Sequence, residues 1–181
     1  MNTGKAFSED RDLSPEQRKA EREFLEIEIE RAAGGAKGSK TVLDYGCGEA
    51  RFFDVWTRLG YLYVGADIVP AMMDTNAERY GATFLHVEDL DERIVTDWLF
   101  LSMTLQHMTD VEAIGVLTRI RSQKVLVIDN TVKGGPEYVQ HRRAVQLTEL
   151  LARAGWGDIT PETARSKAAQ YKIVVGRNRG D

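Results

Sequence analysis

An apolar segment ends in a turn with two glycines at Val42-Leu43-Asp44-Tyr45-Gly46-Cys47-Gly48. Because glycine has no β-carbon and accepts a positive φ, a strand that ends in this way lets the backbone approach a ligand closely. A segment with helical periodicity, near residues 51–59, follows the turn. Strand, glycine turn and helix in this order are typical of the first unit of an open α/β sheet, and they predict a ligand site at the turn.

Apolar runs and helical periods continue to alternate after this first unit. The run at residues 125–128 is apolar throughout, as expected of a parallel strand with helices on both faces of its sheet. We therefore predict an α/β fold with a Rossmann-like, doubly wound, mostly parallel sheet of seven strands, of which the final strand is antiparallel. The predicted strands are 41–45, 63–66, 82–87, 98–101, 125–128, 158–163 and 171–175, and the predicted helices of this domain lie near 51–59, 70–80, 111–120 and 142–154.

A separate helix is predicted before the sheet, over residues 15–33. Ser14 is a suitable N-cap for it, and proline occupies its first position. The glycine-rich residues 34–39 are too flexible to continue the helix. We therefore divide the chain into residues 1–39, a tail and helix that are a candidate substrate lid, and residues 40–181, the sheet domain.

Composition narrows the functional classes. The chain has 181 residues, a net charge of −4 and a pI near 5.5. It therefore lacks the positive electrostatic field that would attract nucleic acid, and we do not expect nucleic acid as its main partner. Charged residues interrupt every hydrophobic segment, which excludes a membrane span of about 20 apolar residues. The single Cys47 and the polar residues after Met1 lead us to expect a cytoplasmic protein.

The charges around the turn indicate which ligand it holds. A dinucleotide-binding turn would have a third glycine three residues after Gly48, where this chain has Arg51. Asp44 is a poor neighbour for a diphosphate but a good one for a sulfonium. Asp67 follows about 20 residues later, where a carboxylate can accept both ribose hydroxyls of a nucleoside. These charges favour S-adenosylmethionine over a nicotinamide dinucleotide as the cofactor.

The segment 42–48 resembles motif I of the class I S-adenosylmethionine-dependent methyltransferases, and the resemblance extends over residues 40–176. In that family the glycines of the motif pass under the methionine and ribose parts of the cofactor. The turn residues that the resemblance assigns to the cofactor are Asp44, Gly46, Cys47 and Gly48.

The same resemblance assigns residues of the second strand and the following helix. Asp67 corresponds to the acid that binds the ribose, and Ile68 and Met72 stand where the family packs apolar side chains on the adenine; both could instead be core residues. One departure is Ala50, which replaces the third glycine of the motif. Alanine is small enough to keep the close approach of helix and strand.

Two further motifs resemble those of the family. An acid after the third strand meets the adenine amino group in many members, and alignment by the strand selects Glu88, whereas alignment by the acid followed by Leu90 selects Asp89, which we prefer slightly. The segment 99–110, which comprises the fourth strand, a turn and then His107 followed by Asp110, resembles the fourth-strand region of small-molecule methyltransferases. This resemblance places the backbone of Leu101 and Ser102 beside the methionine moiety.

Few residues are candidates for chemistry. His107 lies after the fourth strand, at the carboxyl edge of the sheet, and is a candidate base or substrate contact, although a histidine here can also simply order the turn. Asp129 ends the fifth strand, where it could hold a nucleophile or shape the following turn. His141 follows that turn, and its neighbours Arg142 and Arg143 could bind an acidic substrate or begin a solvent-exposed helix.

We therefore expect an enzyme that transfers a methyl group to oxygen or nitrogen of a small-molecule acceptor. Methyl transfer is an in-line displacement, so a base is optional. The histidines and the one cysteine lack the spacing of metal ligands, so no metal site is expected. The alternatives are a non-catalytic cofactor-binding scaffold, a protein N-terminal amine methyltransferase and a nicotinamide-dependent oxidoreductase.

Overall fold

Seven strands form one mixed sheet in the part of the chain that the computed structural model describes, which is residues 14–90, 94–130, 142–166 and 169–178. The strands are β1 (Lys40–Tyr45), β2 (Tyr61–Asp67), β3 (Thr83–His86), β4 (Val95–Ser102), β5 (Arg121–Asn130), β6 (Trp156–Arg165) and β7 (Gln170–Asn178). The helices are α1 (Pro15–Ala33), α2 (Phe53–Arg58), α3 (Pro70–Tyr80), α4 (Asp110–Arg119) and α5 (Ala144–Arg153), and two 3₁₀ turns cover Val87–Asp89 and Leu105–His107.

The strand order is β3-β2-β1-β4-β5-β7-β6. β1 to β5 are parallel, and β7 runs antiparallel to both β5 and β6. The predicted fold is therefore confirmed, including the antiparallel final strand. The direction of winding reverses between β1 and β4, and open α/β sheets bind ligands at the carboxyl ends of the strands where this reversal occurs.

Most element boundaries follow from local signals. α1 begins at Pro15 because the Ser14 hydroxyl accepts a hydrogen bond from the Gln17 amide, and the Gln17 side chain caps Ser14 in return. α3 ends at Gly81, which adopts the left-handed conformation that favours glycine. Six of the seven strands are longer than predicted, because further residues at their ends also join the ladder, whereas β3 is shorter than the predicted 82–87. Residues 95 and 96, which the sequence left without a clear assignment, belong to β4.

Two hydrophobic clusters hold helices against the sheet. One cluster contains residues of α4 and α5, and the other contains residues of α1 and α2. α1 contributes Leu25 and Ile29, which are completely buried beside Trp56. Exposed ion pairs add to this contact, among them Arg58 with Glu30 at 2.6 Å. The second half of α1 therefore belongs to the core. None of the described helices is long and apolar enough to cross a membrane.

The docking of α1 can be tested with two isoleucines of the same helix. Ile29 is fully buried, whereas Ile27 is 60% exposed. We expect Ile29→Ala to lower the free energy of unfolding by about 2–4 kcal/mol, because it removes buried apolar surface and leaves a cavity. Ile27→Ala, which has the same effect on helix propensity, should cost less than about 0.5 kcal/mol. Chemical denaturation measures both values, and equal losses would contradict the packing of α1.

Candidate functional site

The glycine turn lies where the sheet reverses its direction of winding. Gly46 and Gly48 have φ values of +77° and +52°, in the left-handed region that glycine accepts without strain. The amides of Gly46 and Cys47 both donate to the carbonyl of Ala66 in β2, at 2.7 and 3.1 Å. The turn therefore bends over the end of β2 in a fixed conformation, as the glycine pattern predicts.

Gly46 cannot carry a side chain because of its neighbour Thr104. A β-carbon at Gly46 would lie 2.4 Å from Cγ2 of Thr104, far inside van der Waals contact. The Thr104 hydroxyl lies 3.1 Å from the carbonyl oxygens of both Tyr45 and Ser102. This threonine, which the sequence analysis did not single out, therefore joins the ends of β1 and β4.

Ala50 occupies the position of the third glycine and is strained. It is buried and has a φ of +54°, which costs a residue with a β-carbon roughly 1–2 kcal/mol. The small side chain still allows α2 to follow directly. The replacement thus preserves the turn, as expected, at a cost in stability that the sequence did not reveal.

Asp67 is placed at the turn by two amide hydrogen bonds. Its carboxylate accepts the Gly48 amide at 2.9 Å and the Val69 amide at 3.2 Å. Asn76, another residue that the sequence analysis missed, donates its side-chain amide to the carbonyl of Gly48 at 2.8 Å. Since each carboxylate oxygen has two lone pairs, Asp67 retains the capacity to accept further hydroxyl donors.

Asp44 is a buried acid rather than an exposed charge. It is 2% exposed, and the Tyr63 hydroxyl donates to it at 2.6 Å. Burial raises the pKa of the Asp44 carboxyl to about 7, although the Tyr63 hydrogen bond and the nearby Arg51 oppose this shift. The sequence argument treated Asp44 as fully ionised, whereas this environment leaves it partly protonated near neutral pH.

The other residues predicted to contact the adenine side of the cofactor differ in how far their side chains are exposed. Ile68 is 72% exposed although it is apolar, and Met72 is partly buried. Glu88 and Asp89 are both exposed in the 3₁₀ turn after β3, so their order of preference stays a prediction. The side chain of Leu90 is buried in the hydrophobic cluster of α4 and α5.

Cys47 and the end of β4 offer mainly backbone to a ligand. The side chain of Cys47 is buried, its sulfur lies 3.9 Å from that of Met73, and burial raises the pKa of the thiol. A thiol that stays protonated is a poor nucleophile. Leu101 is fully buried, and Ser102 lies 3.4 Å from an Nη atom of Arg51.

Two of the candidate catalytic residues, His107 and Asp129, lie on separate segments at the carboxyl edge of the sheet. His107 is exposed and ends the 3₁₀ turn after β4. Asp129 is 2% exposed near the end of β5, opposite Lys172 of β7. Burial lowers the pKa of the Lys172 ammonium, and the charge of Asp129 opposes that shift. His141 lies outside the described residues.

Arg142 does not begin a solvent-exposed helix, which was one of its two predicted roles. It is 6% exposed and donates to the carbonyls of Leu105 and Met108 at 2.6 and 2.7 Å. It also binds the carboxylate of Asp110 at 2.8 and 2.9 Å, while its own carbonyl accepts from Lys172. Arg142 therefore holds the turn that carries His107. Arg143 is exposed.

These contacts predict different effects for two adjacent arginines. Arg142→Gln leaves buried carbonyls without their charged donor, so we expect the free energy of unfolding to fall by about 2–3 kcal/mol. Amide hydrogen exchange should also accelerate across residues 104–109. The matched variant Arg143→Gln should change stability by less than about 0.5 kcal/mol. Similar small effects of both variants would show that Arg142 does not hold the turn.

The raised pKa of Asp44 predicts a dependence of stability on pH. In the folded state the pKa of the Asp44 carboxyl is about 7, whereas the ordinary pKa of an aspartate side chain is 3.8. The resulting stabilisation is present at low pH and is lost as pH rises through the folded pKa. Between pH 5 and 8 the wild type should lose about 2–3 kcal/mol relative to Asp44→Asn, which does not titrate. Parallel pH profiles from denaturation of the two proteins would contradict the shift.

Among the described residues, no group of three or more histidine, cysteine or acidic side chains could hold a metal ion. The arrangement instead combines a fixed glycine turn, a carboxylate and an exposed apolar side chain at one edge of the sheet. These groups suit a nucleoside whose ribose meets Asp67 and whose base lies on Ile68.

Comparison with known proteins agrees with this geometry. Residues 43–119 match the family model of a methyltransferase domain. No curated protein sequence is detectably similar to the chain. Among solved structures, 1,6-didemethyltoxoflavin-N1-methyltransferase of Burkholderia thailandensis has a TM-score of 0.72 at 19% identity, covering 93% of this chain and 81% of its own.

Two other structures have similar folds. Magnesium protoporphyrin IX methyltransferase of Synechocystis, with bound S-adenosylmethionine, has a TM-score of 0.70 at 16% identity and covers 97% of this chain and 86% of its own. An S-adenosylmethionine-dependent methyltransferase of Archaeoglobus fulgidus has a TM-score of 0.67 at 15% identity, with coverage of 89% and 97%. The chain therefore has the fold of these S-adenosylmethionine-dependent methyltransferases, and the part of it that matches the methyltransferase domain model contains the glycine turn and Asp67.

Proposed function

We propose that the chain binds S-adenosylmethionine at the glycine turn and transfers its methyl group to oxygen or nitrogen of a small-molecule acceptor. The observation that carries the proposal is the position of Asp67, whose carboxylate is held at the turn by the Gly48 amide at 2.9 Å. Exposed Ile68 stands directly beside it. A carboxylate and an apolar surface in this order match the ribose and adenine of the cofactor.

The nucleoside half of the cofactor would lie over the ends of β2 and β3. Asp67 accepts the ribose hydroxyls, and Ile68 and Met72 contact the adenine. Glu88 or Asp89 receives the adenine amino group, with Leu90 contributing backbone only because its side chain is buried. Contact with the adenine ring would remove much of the apolar surface of Ile68 from water, which favours binding.

The methionine half would lie over the ends of β1 and β4. The backbone of the turn, from Gly46 to Gly48, passes beneath it, and the backbone at Leu101 and Ser102 lies beside it. Asp44 is buried under the turn, so its ionised form would attract the sulfonium through a medium of low dielectric constant. This part of the site therefore distinguishes the charged cofactor from its neutral product S-adenosylhomocysteine.

The acceptor pocket is proposed to lie between α1 and the segments that follow β4 and β5. The N-terminal residues 1–39 are proposed to supply one wall and a candidate lid. Of these, residues 14–39 are described, and the first turns of α1 lie beside the residues that follow the glycine turn. The similar Burkholderia structure holds 1,6-didemethyltoxoflavin together with S-adenosylhomocysteine. A similar fold with a small acceptor in place supports the same class of acceptor here.

In the reaction, a lone pair of the acceptor oxygen or nitrogen forms a bond to the methyl carbon. The electrons of the carbon–sulfur bond return to sulfur, which yields neutral S-adenosylhomocysteine, and the acceptor loses a proton. His107 is exposed at the carboxyl edge and is the proposed base for a hydroxyl acceptor. Asp129 is proposed to orient the nucleophile, and His141 stays a further candidate outside the described residues.

The first test is calorimetric titration with S-adenosylhomocysteine. Asp67→Asn should raise its dissociation constant at least tenfold, equivalent to about 1.4 kcal/mol, because an amide accepts the ribose hydroxyls less well than a carboxylate. Asp74→Asn is the matched control, since Asp74 is exposed on α3, and it should bind as the wild type does. If folded Asp67→Asn binds S-adenosylhomocysteine as tightly as the wild type does, Asp67 is not part of the cofactor site.

Catalysis is tested separately from binding. With S-adenosylmethionine and a panel of small alcohols, acids and amines, an enzyme releases S-adenosylhomocysteine when its acceptor is present. A scaffold that only retains the cofactor binds it and releases none with any acceptor. Binding of NAD in place of S-adenosylhomocysteine would contradict the proposal altogether.

A further inference from the structure

His86 joins two segments that would contact the adenine in the proposed function. It ends β3, opposite Asp67 of β2, and its side chain is 20% exposed. One ring nitrogen, Nε2, lies 3.0 Å from the carbonyl oxygen of Ile68, and the other, Nδ1, accepts the Glu88 amide at 3.3 Å. A single imidazole therefore connects the end of β2 with the 3₁₀ turn after β3.

These two partners fix the form of the imidazole. A carbonyl oxygen can only accept a hydrogen bond, and a backbone amide can only donate one. Nε2 must therefore carry the proton, and Nδ1 must present its lone pair to the Glu88 amide. Only the neutral ring in this tautomer satisfies both contacts, which hold the ring in one orientation.

The contact with Ile68 fixes an exposed apolar residue. Ile68 is 72% exposed, so its own side chain contributes little packing that could hold it in place. Its carbonyl is held by His86, and the amide of the next residue, Val69, donates to the Asp67 carboxylate at 3.2 Å. The backbone is thereby held on both sides of Ile68, which keeps this side chain at the surface where the adenine would lie.

The 3₁₀ turn that carries the two candidate acids is held at both ends. Near its start the Glu88 amide donates to His86, and after its end the carbonyl of Leu90 accepts from the Arg119 guanidinium at 2.5 Å. The side chain of Leu90 is buried, whereas Glu88 and Asp89 are exposed. The turn thus presents both carboxylates from a fixed backbone, and it shares its anchor at His86 with the end of β2.

We propose that His86 is a positioning residue for recognition of the adenine. Its two hydrogen bonds fix the distance between Ile68, which contacts the face of the ring, and the acid that receives the exocyclic amino group. The site thereby selects a purine with this amino group over one without it. The inference rests on the proposed function, because an adenine is expected here only if S-adenosylmethionine is the cofactor.

The experiment measures selectivity for the amino group. Wild type and variants are titrated calorimetrically with S-adenosylhomocysteine and with an analogue whose purine lacks the amino group. His86→Asn keeps an oxygen that can accept the Glu88 amide but cannot reach the Ile68 carbonyl. His86→Gln offers a donor for that carbonyl but lacks the acceptor at the Nδ1 position. The matched control is Thr83→Asn, at the exposed opposite end of β3, and thermal melting shows whether each variant is folded.

The wild type should bind S-adenosylhomocysteine about tenfold more tightly than the analogue, because a charged acceptor for the amino group is in place. Each His86 variant should weaken S-adenosylhomocysteine binding about fivefold and change binding of the analogue less than about twofold, because each breaks one of the two contacts. Thr83→Asn should keep the wild-type ratio. A purely structural role would weaken both ligands equally, and this result, or full selectivity in either His86 variant, would overturn the proposal.

Nitrogen-15 NMR of the imidazole adds a measurement on the wild type. The proton should be found on Nε2, and a proton on Nδ1 would overturn the proposal. A wild type that binds S-adenosylhomocysteine and the analogue equally would also overturn it while leaving the proposed function in place. A wild type that binds neither would instead contradict the proposed function, and this inference with it.

Discussion

The close contact between Gly46 and Thr104 is the constraint on which the site depends. A β-carbon at Gly46 would lie 2.4 Å from the Thr104 side chain, so only glycine allows the ends of β1 and β4 to meet in this way. The Thr104 hydroxyl lies within hydrogen-bond distance of carbonyls at the ends of both strands. Because these strands flank the reversal of the sheet, this contact determines where the glycine turn, Asp67 and the end of β4 stand relative to one another.

Buried charges organise the rest of the carboxyl edge. The Arg142 side chain donates hydrogen bonds to the turn that carries His107. Its backbone carbonyl accepts a hydrogen bond from the ammonium of Lys172, which lies opposite Asp129. Burying such groups is costly unless their donors and acceptors are matched, so each one restricts the backbone that it contacts. The 3₁₀ turn after β4 and the residue before α5 are thereby held together, although they are far apart in the sequence.

The cofactor and acceptor halves of the site are built in different ways. The cofactor half consists of a turn and strand ends whose backbone hydrogen bonds leave little freedom. The proposed acceptor half takes side chains from α1, the 3₁₀ turn after β4 and the start of α5. α1 also stabilises the fold, since its Ile29 is in the core while its first turns line a cleft beside the glycine turn.

The sequence by itself determined the order of elements, the start of α1 at Pro15 and the position of the glycine turn, because caps, glycines and apolar periods act between neighbouring residues. Tertiary structure alone decided the rest. The burial of Arg142 and the raised pKa of Asp44 both arise between residues on different elements. Local patterns carry no information about such pairings, since the burial and electrostatic energy of a side chain depend on which distant elements surround it.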